Sequence, residues 1–262
     1  ELSHTEKRIE LGREIEFPST PNDDVLMSLF HFGPFPEPFL KQNQRSLRRW
    51  QRERMDRFFR EDVRDLENVR DLSSMELLAD MLKDRIGSPL SLQSLREDLE
   101  ASHRAITHWI DIFERLYFCF TITPFVHKRV RSLKKPPKLY LWDWSSVPDR
   151  GARFENLVAS HLLKLKHAFE DQEGFNIGLY YLRDASKREV DFLITEKNIP
   201  ILLIETKLND EEISKNLIYF QKKLNIKMAV QVVHKKNVYK KINEEGFDIW
   251  VISADKFLKL FP

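Results

Sequence analysis

The sequence predicts an α+β protein in three consecutive parts: a helical segment, a unit of three helices and a hairpin, and a sheet domain. Three observations carry this. Leu77, Leu78, Met81, Leu82 and Ile86 recur at helical spacing, with two more short helical patterns behind them. Two apolar runs at 117–123 and 138–144 then read as strands. From Gly151 the rhythm changes to helix, three strands, helix and further strands. That order, α-β-β-β-α-β, mixes an antiparallel meander with a crossover, as in an α/β three-layer domain.

Composition sets the outer limits. The chain has 262 residues, room for roughly two domains of about 100–150 residues each. At 42% apolar and 32% charged residues it is globular rather than disordered. None of its seven glycines stands in G-x-x-x-x-G-K-[ST] or G-x-G-x-x-G spacing, so no ATP or dinucleotide site is expected. Forty-three Lys and Arg against forty-one Asp and Glu leave a net charge of +2. Nucleic-acid binding would therefore have to come from local basic patches.

Cys119 is the only cysteine, which excludes an internal disulfide and Cys-rich zinc sites. Its apolar setting at 116–120 predicts burial as a small hydrophobe. The first residues carry no signal-peptide core, and the longest nearly apolar stretch, 116–126, is far short of the ~20 residues that span a bilayer. No membrane partner and a cytoplasmic location are expected. The absence of an initial Met suggests a fragment or a processed chain.

Residues 1–72 form the first part. Gly33-Pro34-Phe35-Pro36-Glu37-Pro38-Phe39-Leu40 is too rich in proline to continue a helix, and predicts an ordered connection docked by its phenylalanines. The stretch 41–72 follows as an arginine-rich helix in which arginines alternate with acids. A solvated helix laced with i,i+4 ion pairs explains this pattern, with a phosphate- or partner-facing helix as the alternative.

Residues 73–147 form the second part. Gly87-Ser88-Pro89 stops its first helix, Ser91 can cap a short second one carrying Leu92, Leu95 and Leu99, and Ser102 can cap a third. The third buries Ile106, Trp109, Ile110, Phe113 and Leu116. Three helices and a hairpin in this order make a winged helix-turn-helix. Its third helix would turn Arg104, Thr107 and His108 outward, where a recognition helix meets base edges. Its wing holds Lys128, Arg129, Arg131, Lys134, Lys135 and Lys138 against phosphate. DNA is the partner this implies. Asp111 and Glu114 dilute the positive face, and winged helices also dock proteins, so a protein partner stays open.

The third part, 148–262, begins after a junction near Val147-Pro148-Asp149. Three of its carboxylates stand in apolar surroundings. Glu155 lies at the edge of the apolar stripe of helix 151–170, Asp191 interrupts Val190-Asp191-Phe192-Leu193-Ile194, and Glu205 ends the apolar run 201–204. Burying an ionised carboxylate costs several kcal/mol unless it is paired or holds a metal. Lys207, two residues on, shares the Glu205 face of its strand. Asp191 and Glu205 would hold one Mg²⁺ or Mn²⁺, with Glu155 binding it through water or holding a second ion. The ion would lower the pKa of a bound water, and Lys207 would orient that water or offset developing charge. An ion pair that merely stabilises the domain is the competing explanation of the E-x-K triplet.

Glu189-Val190-Asp191-Phe192 followed by Ile204-Glu205-Thr206-Lys207 resembles the PD-(D/E)xK motif of the restriction-endonuclease-like superfamily, with Glu155 matching its first-helix acid. More narrowly, Gly151-Ala152-Arg153-Phe154-Glu155-Asn156-Leu157-Val158-Ala159, Tyr181-Leu182-Arg183-Asp184 and Glu189-Val190-Asp191-Phe192 are similar to a prokaryotic family of AAA-type ATPases with a C-terminal domain of unknown function. The stretch 32–40 looks like the segment closing that ATPase module, so 1–72 would be its remnant. The phosphate-binding loop and Walker acid are absent, so no ATP binding or ATPase activity carries over. The resemblance implies a Mg²⁺- or Mn²⁺-dependent DNA nuclease with a winged-helix module. The alternative it leaves is a non-catalytic DNA- or partner-binding regulator of an ATPase module, or a self-associating one.

Other chemistries have little support. His103/His108 and His161/His167 are spaced i+5 and i+6, which does not put two imidazoles on one helical face for zinc. Ser3, Ser145 and Ser146 lack a nucleophile-elbow context. Trp142 and Trp144 read as packing residues.

Overall fold

The structure is a computed structural model and describes residues 23–64, 71–126, 136–209 and 211–260. It is an α+β fold, helical first and sheet-forming afterwards. The chain divides into two compact units. A helical unit comprises the described residues of 27–121 and 136–156, and a sheet unit those of 23–26, 122–126 and 157–260. Among the described residues no helix is long and apolar enough to cross a membrane.

The first helix, α1 (Asp23–Phe32), holds a division between the units after Leu26; the helical unit continues with α2 (Pro36–Lys41) and α3 (Gln44–Arg57), the last running into a π-helical turn at Phe58–Val63. The proline-rich stretch is thus part helix, contrary to the sequence expectation. Pro36 opens α2, where its fixed φ suits a helix and its missing N–H would have had no partner anyway. Docking by phenylalanine does occur: the Phe35 ring lies 4.8 Å from that of Trp50. Along α3 most arginines face solvent, but Arg54 lies over Phe35 at 4.5 Å and 3.8 Å from Asp143. Burial lowers its pKa against the opposing pull of Asp143.

Next come α4 (Leu72–Lys83), α5 (Leu92–Asp98) and α6 (His103–Arg115). Each starts on a side-chain cap. Asp71 accepts from Ser74 N–H at 3.3 Å, Ser91 from Ser94 at 3.2 Å and Ser102 from Ala105 at 3.1 Å. The buried stripe of α4 is Met75, Leu78, Ala79 and Leu82, while Leu77 is exposed because it sits about a quarter-turn off that stripe. Phe58, Phe59, Phe113 and Phe118 form an aromatic cluster with neighbouring centroids 5.1–6.1 Å apart.

Strands β1 (Cys119–Ile122) and β2 (Lys138–Leu141) pair in a two-stranded sheet, and a 3₁₀ turn follows at Trp144–Ser146. Cys119 is buried, which pushes its thiol pKa well up. Helix α7 (Arg150–Glu173) comes next, and the division between the units falls within it, after Asn156.

The sheet unit holds β3 (Ile177–Arg183), β4 (Glu189–Glu196), β5 (Ile199–Lys207), α8 (Lys215–Leu224), β6 (Met228–Val233), β7 (Tyr239–Glu244), β8 (Phe247–Ser253) and the short α9 (Ala254–Leu258). The sheet order is β3-β4-β5-β6-β8-β7. β3, β4 and β5 form the antiparallel meander, and β5, β6 and β8 run parallel. From α7 to β6 the element order is the expected α-β-β-β-α-β. Helix α8 packs on β4, β5 and β6. Its Leu217 and Phe220 join Val190, Leu193, Leu203, Ala229 and Ile249 in one buried cluster.

Strand β7 is not foreseen by the sequence. It lies at the sheet edge antiparallel to β8, with Tyr239 and Ile242 exposed. Its lysine-rich sequence lacks the apolar run of an interior strand, as edge strands often do.

Candidate active site

β4 and β5 are in antiparallel register with Phe192 opposite Ile204 and Leu193 opposite Leu203. Side chains alternate along a strand, so Asp191 shares the face of Leu193, and Glu205 and Lys207 share that of Leu203. Leu193 and Leu203 belong to the cluster under α8. The three polar residues thus continue the α8-covered face toward the end of β5.

Their contacts are specific. Asp191 Oδ2 accepts two hydrogen bonds from Thr206, one from its backbone N–H at 2.9 Å and one from its hydroxyl at 2.7 Å. The backbone N–H of Asp191 in turn donates to the Glu205 carboxylate. Lys207 Nζ lies 2.8 Å from Glu205 Oε1. Glu205 is only 4% exposed, and its Oε2 has no hydrogen-bond partner among the described residues. Burial and then the nearby Asp191 carboxylate push its pKa from 4.5 up to about 7, against the pull of Lys207 and of the Asp191 N–H. A cation beside Oε2 would relieve both the burial and the repulsion. These donors are hard oxygens, so they fit Mg²⁺ or Mn²⁺.

Gln231 of β6 is the in-register neighbour of Glu205 and is fully buried. Its Oε1 accepts from Ser214 N–H at 2.8 Å, and its Nε2 donates to Glu212 O at 2.8 Å. It thereby anchors the segment between β5 and α8. Sequence reasoning missed both Gln231 and Thr206. The signal for Gln231 was a lone amide inside the apolar strand Met228–Val233.

Glu155 belongs to the helical unit and has other partners. Lys138 Nζ lies 3.0 Å from its Oε1, and the Tyr140 hydroxyl donates to the same oxygen at 2.7 Å. Lys138 is completely buried. It is therefore not the phosphate-facing wing residue the sequence expects, because its charge is committed to Glu155. Among the described residues no group of three or more His, Cys, Asp and Glu is arranged to hold a metal ion. The carboxylates brought together are Asp191 and Glu205.

Arg104, Thr107 and His108 are exposed on α6, as expected. The Thr107 hydroxyl donates back to His103 O at 2.9 Å. Lys128, Arg129, Arg131, Lys134 and Lys135 lie outside the described residues.

Residues 24–147 match a family model described as Domain of unknown function (DUF8612), and residues 150–257 one described as Domain of unknown function (DUF4143). The chain is also similar to the "Uncharacterized protein MJ1544" of Methanocaldococcus jannaschii. The two are 25% identical over 254 residues, which is 90% of this chain and 54% of that protein. The chain thus spans about half the length of this relative.

Proposed function

We propose that the sheet unit is a Mg²⁺- or Mn²⁺-dependent DNA nuclease of restriction-endonuclease-like architecture, and that the three helices and hairpin before it are a DNA-binding winged helix. The observation that carries this reading is the buried Glu205 carboxyl, with Oε2 unpartnered among the described residues, beside Asp191 and Lys207. Asp191 and Glu205 would hold the ion. When bound, it would supply Lewis acidity at a phosphoryl oxygen and a more acidic water.

The chain's own residues have distinct parts. Thr206, through its N–H and hydroxyl, fixes the Asp191 carboxylate. Lys207 places a cation at the rim of the site, where it can offset negative charge on a phosphate oxygen. Gln231 steadies the segment that follows Lys207. Arg104 and His108 on the exposed face of α6 would meet duplex DNA.

The engagement of Glu155 by Lys138 and Tyr140 favours a second reading. There the E-x-K triplet is a structural ion pair, and the chain is a DNA- or partner-binding regulator of an AAA-type ATPase module. A Mn²⁺ titration separates the two, read by melting temperature and by cleavage of single-stranded, duplex and branched DNA. The nuclease reading expects a metal-dependent rise in melting temperature together with cleavage. Neither response at millimolar metal would favour the regulator.

A further inference from the structure

The parallel strands β5, β6 and β8 end at the same end of the sheet, and β7 begins there, with Tyr239 opposite Ile252. Lys207 closes β5 at this end, and its carbonyl accepts from the His234 backbone N–H at 3.0 Å. Lys235 and Lys236 follow directly, and Lys240 lies near the start of β7. All three side chains are about half exposed.

Lys235 and Lys240 converge on one carboxylate. Lys235 Nζ lies 2.5 Å from Glu211 Oε1, and Lys240 Nζ pairs with Oε2. The two lysines hold the Glu211 pKa down to about 2. Two ammonium groups on the two oxygens of a carboxylate form a seat that the two non-bridging oxygens of a phosphodiester can also fill. Glu211 lies on the segment that joins Lys207 to α8, so this seat adjoins the candidate active site. From β5 to β7 is three strand spacings, about 14 Å. One strand of a duplex advances about four nucleotides over that length of helix axis, at 3.4 Å of rise per nucleotide.

We propose that Lys207, Lys235, Lys236 and Lys240 form a track for the backbone of a DNA strand entering the Asp191–Glu205 site, and that Glu211 occupies its phosphate seat until DNA displaces it. This rests on the nuclease reading for what lies at the end of the track, but binding to the track needs no metal.

The test uses the full chain with labelled single-stranded and duplex DNA in EDTA, titrated with salt. Lys235→Gln/Lys240→Gln should bind about tenfold more weakly, with the log–log salt slope shallower by about 1.4 on single strands and 1.8 on duplex. Glu211→Gln should bind several-fold more tightly. Lys197→Gln, in the β4–β5 turn at the other end of the sheet, should leave the slope unchanged. A wild-type slope in the lysine double variant overturns the track, and wild-type affinity in Glu211→Gln overturns the role of Glu211. If these binding effects appear but wild-type protein with Mn²⁺ cleaves nothing, the nuclease reading fails and the track stands. Cleavage together with an unchanged slope would leave the nuclease reading and remove the track.

Discussion

Lys138 Nζ lies 3.0 Å from Glu155 Oε1, and the lysine side chain is wholly buried. This pairing joins two residues that the sequence assigns to different tasks, phosphate contact and metal binding. A buried pair with one partner removed leaves an uncompensated charge. Breaking such a pair costs about 3–5 kcal/mol, and Lys138→Met should fall at the lower end because Glu155 keeps some solvent contact. Urea unfolding measures the loss. The DNA salt slope should stay at its wild-type value, since Lys138 reaches no phosphate.

Gly87 has φ +78°, and a Cβ there would come within 2.8 Å of Glu155 Oε2. Gly87→Ala therefore meets backbone strain and a crowded carboxylate at once. A loss of about 1–3 kcal/mol is expected in urea unfolding. Combining Gly87→Ala with Glu155→Gln should cost less than the sum of the two, because they disturb the same contact.

Glu205 gives stability a definite pH dependence. Its pKa in the folded protein, about 7, lies above the ordinary 4.5. The folded state therefore binds the proton more tightly than the unfolded state does. Its stabilising contribution is fully present below pH 4.5 and is lost as pH rises through 7. The group's share is at most about 3 kcal/mol, at 1.36 kcal/mol per pKa unit. Glu205→Gln should remove this part of the pH profile and melt higher than wild type at pH 8.

Metal should act on the same carboxylate. At pH 8, Mn²⁺ is expected to raise the melting temperature according to RT ln(1 + [L]/Kd). Glu205→Ala should abolish both that rise and DNA cleavage. Lys207→Ala should keep the rise and lose cleavage. If the Glu205–Lys207 pair is purely structural, Lys207→Ala will instead lower stability, and Mn²⁺ will not move the melting temperature.

The basic segment 128–135 can be tested through binding. Lys134→Glu/Lys135→Glu should weaken duplex affinity and flatten the salt slope by about 2 units, at 0.9 per phosphate contact. Unchanged affinity would assign the segment to a protein partner or to solvent.

Much of this molecule is legible in sequence because its causes are local. Ser91 and Ser102 cap their helices through N–H groups three residues away. The stripe of α6 follows from a 3.6-residue period, and the E-x-K triplet shares a face because strands alternate. None of these depends on which elements meet. Only the tertiary structure decided that Glu155 pairs with Lys138 and Tyr140, that Gln231 stands beside Glu205, and that the polar stretch 239–244 becomes an edge strand. A charge has no period, so its partner is fixed by whichever surfaces pack together. An edge strand is held by a neighbour's backbone rather than by its own apolar pattern. Pairing and burial together also set the protonation of Glu205, since desolvation and Asp191 act on it only once β4 lies against β5.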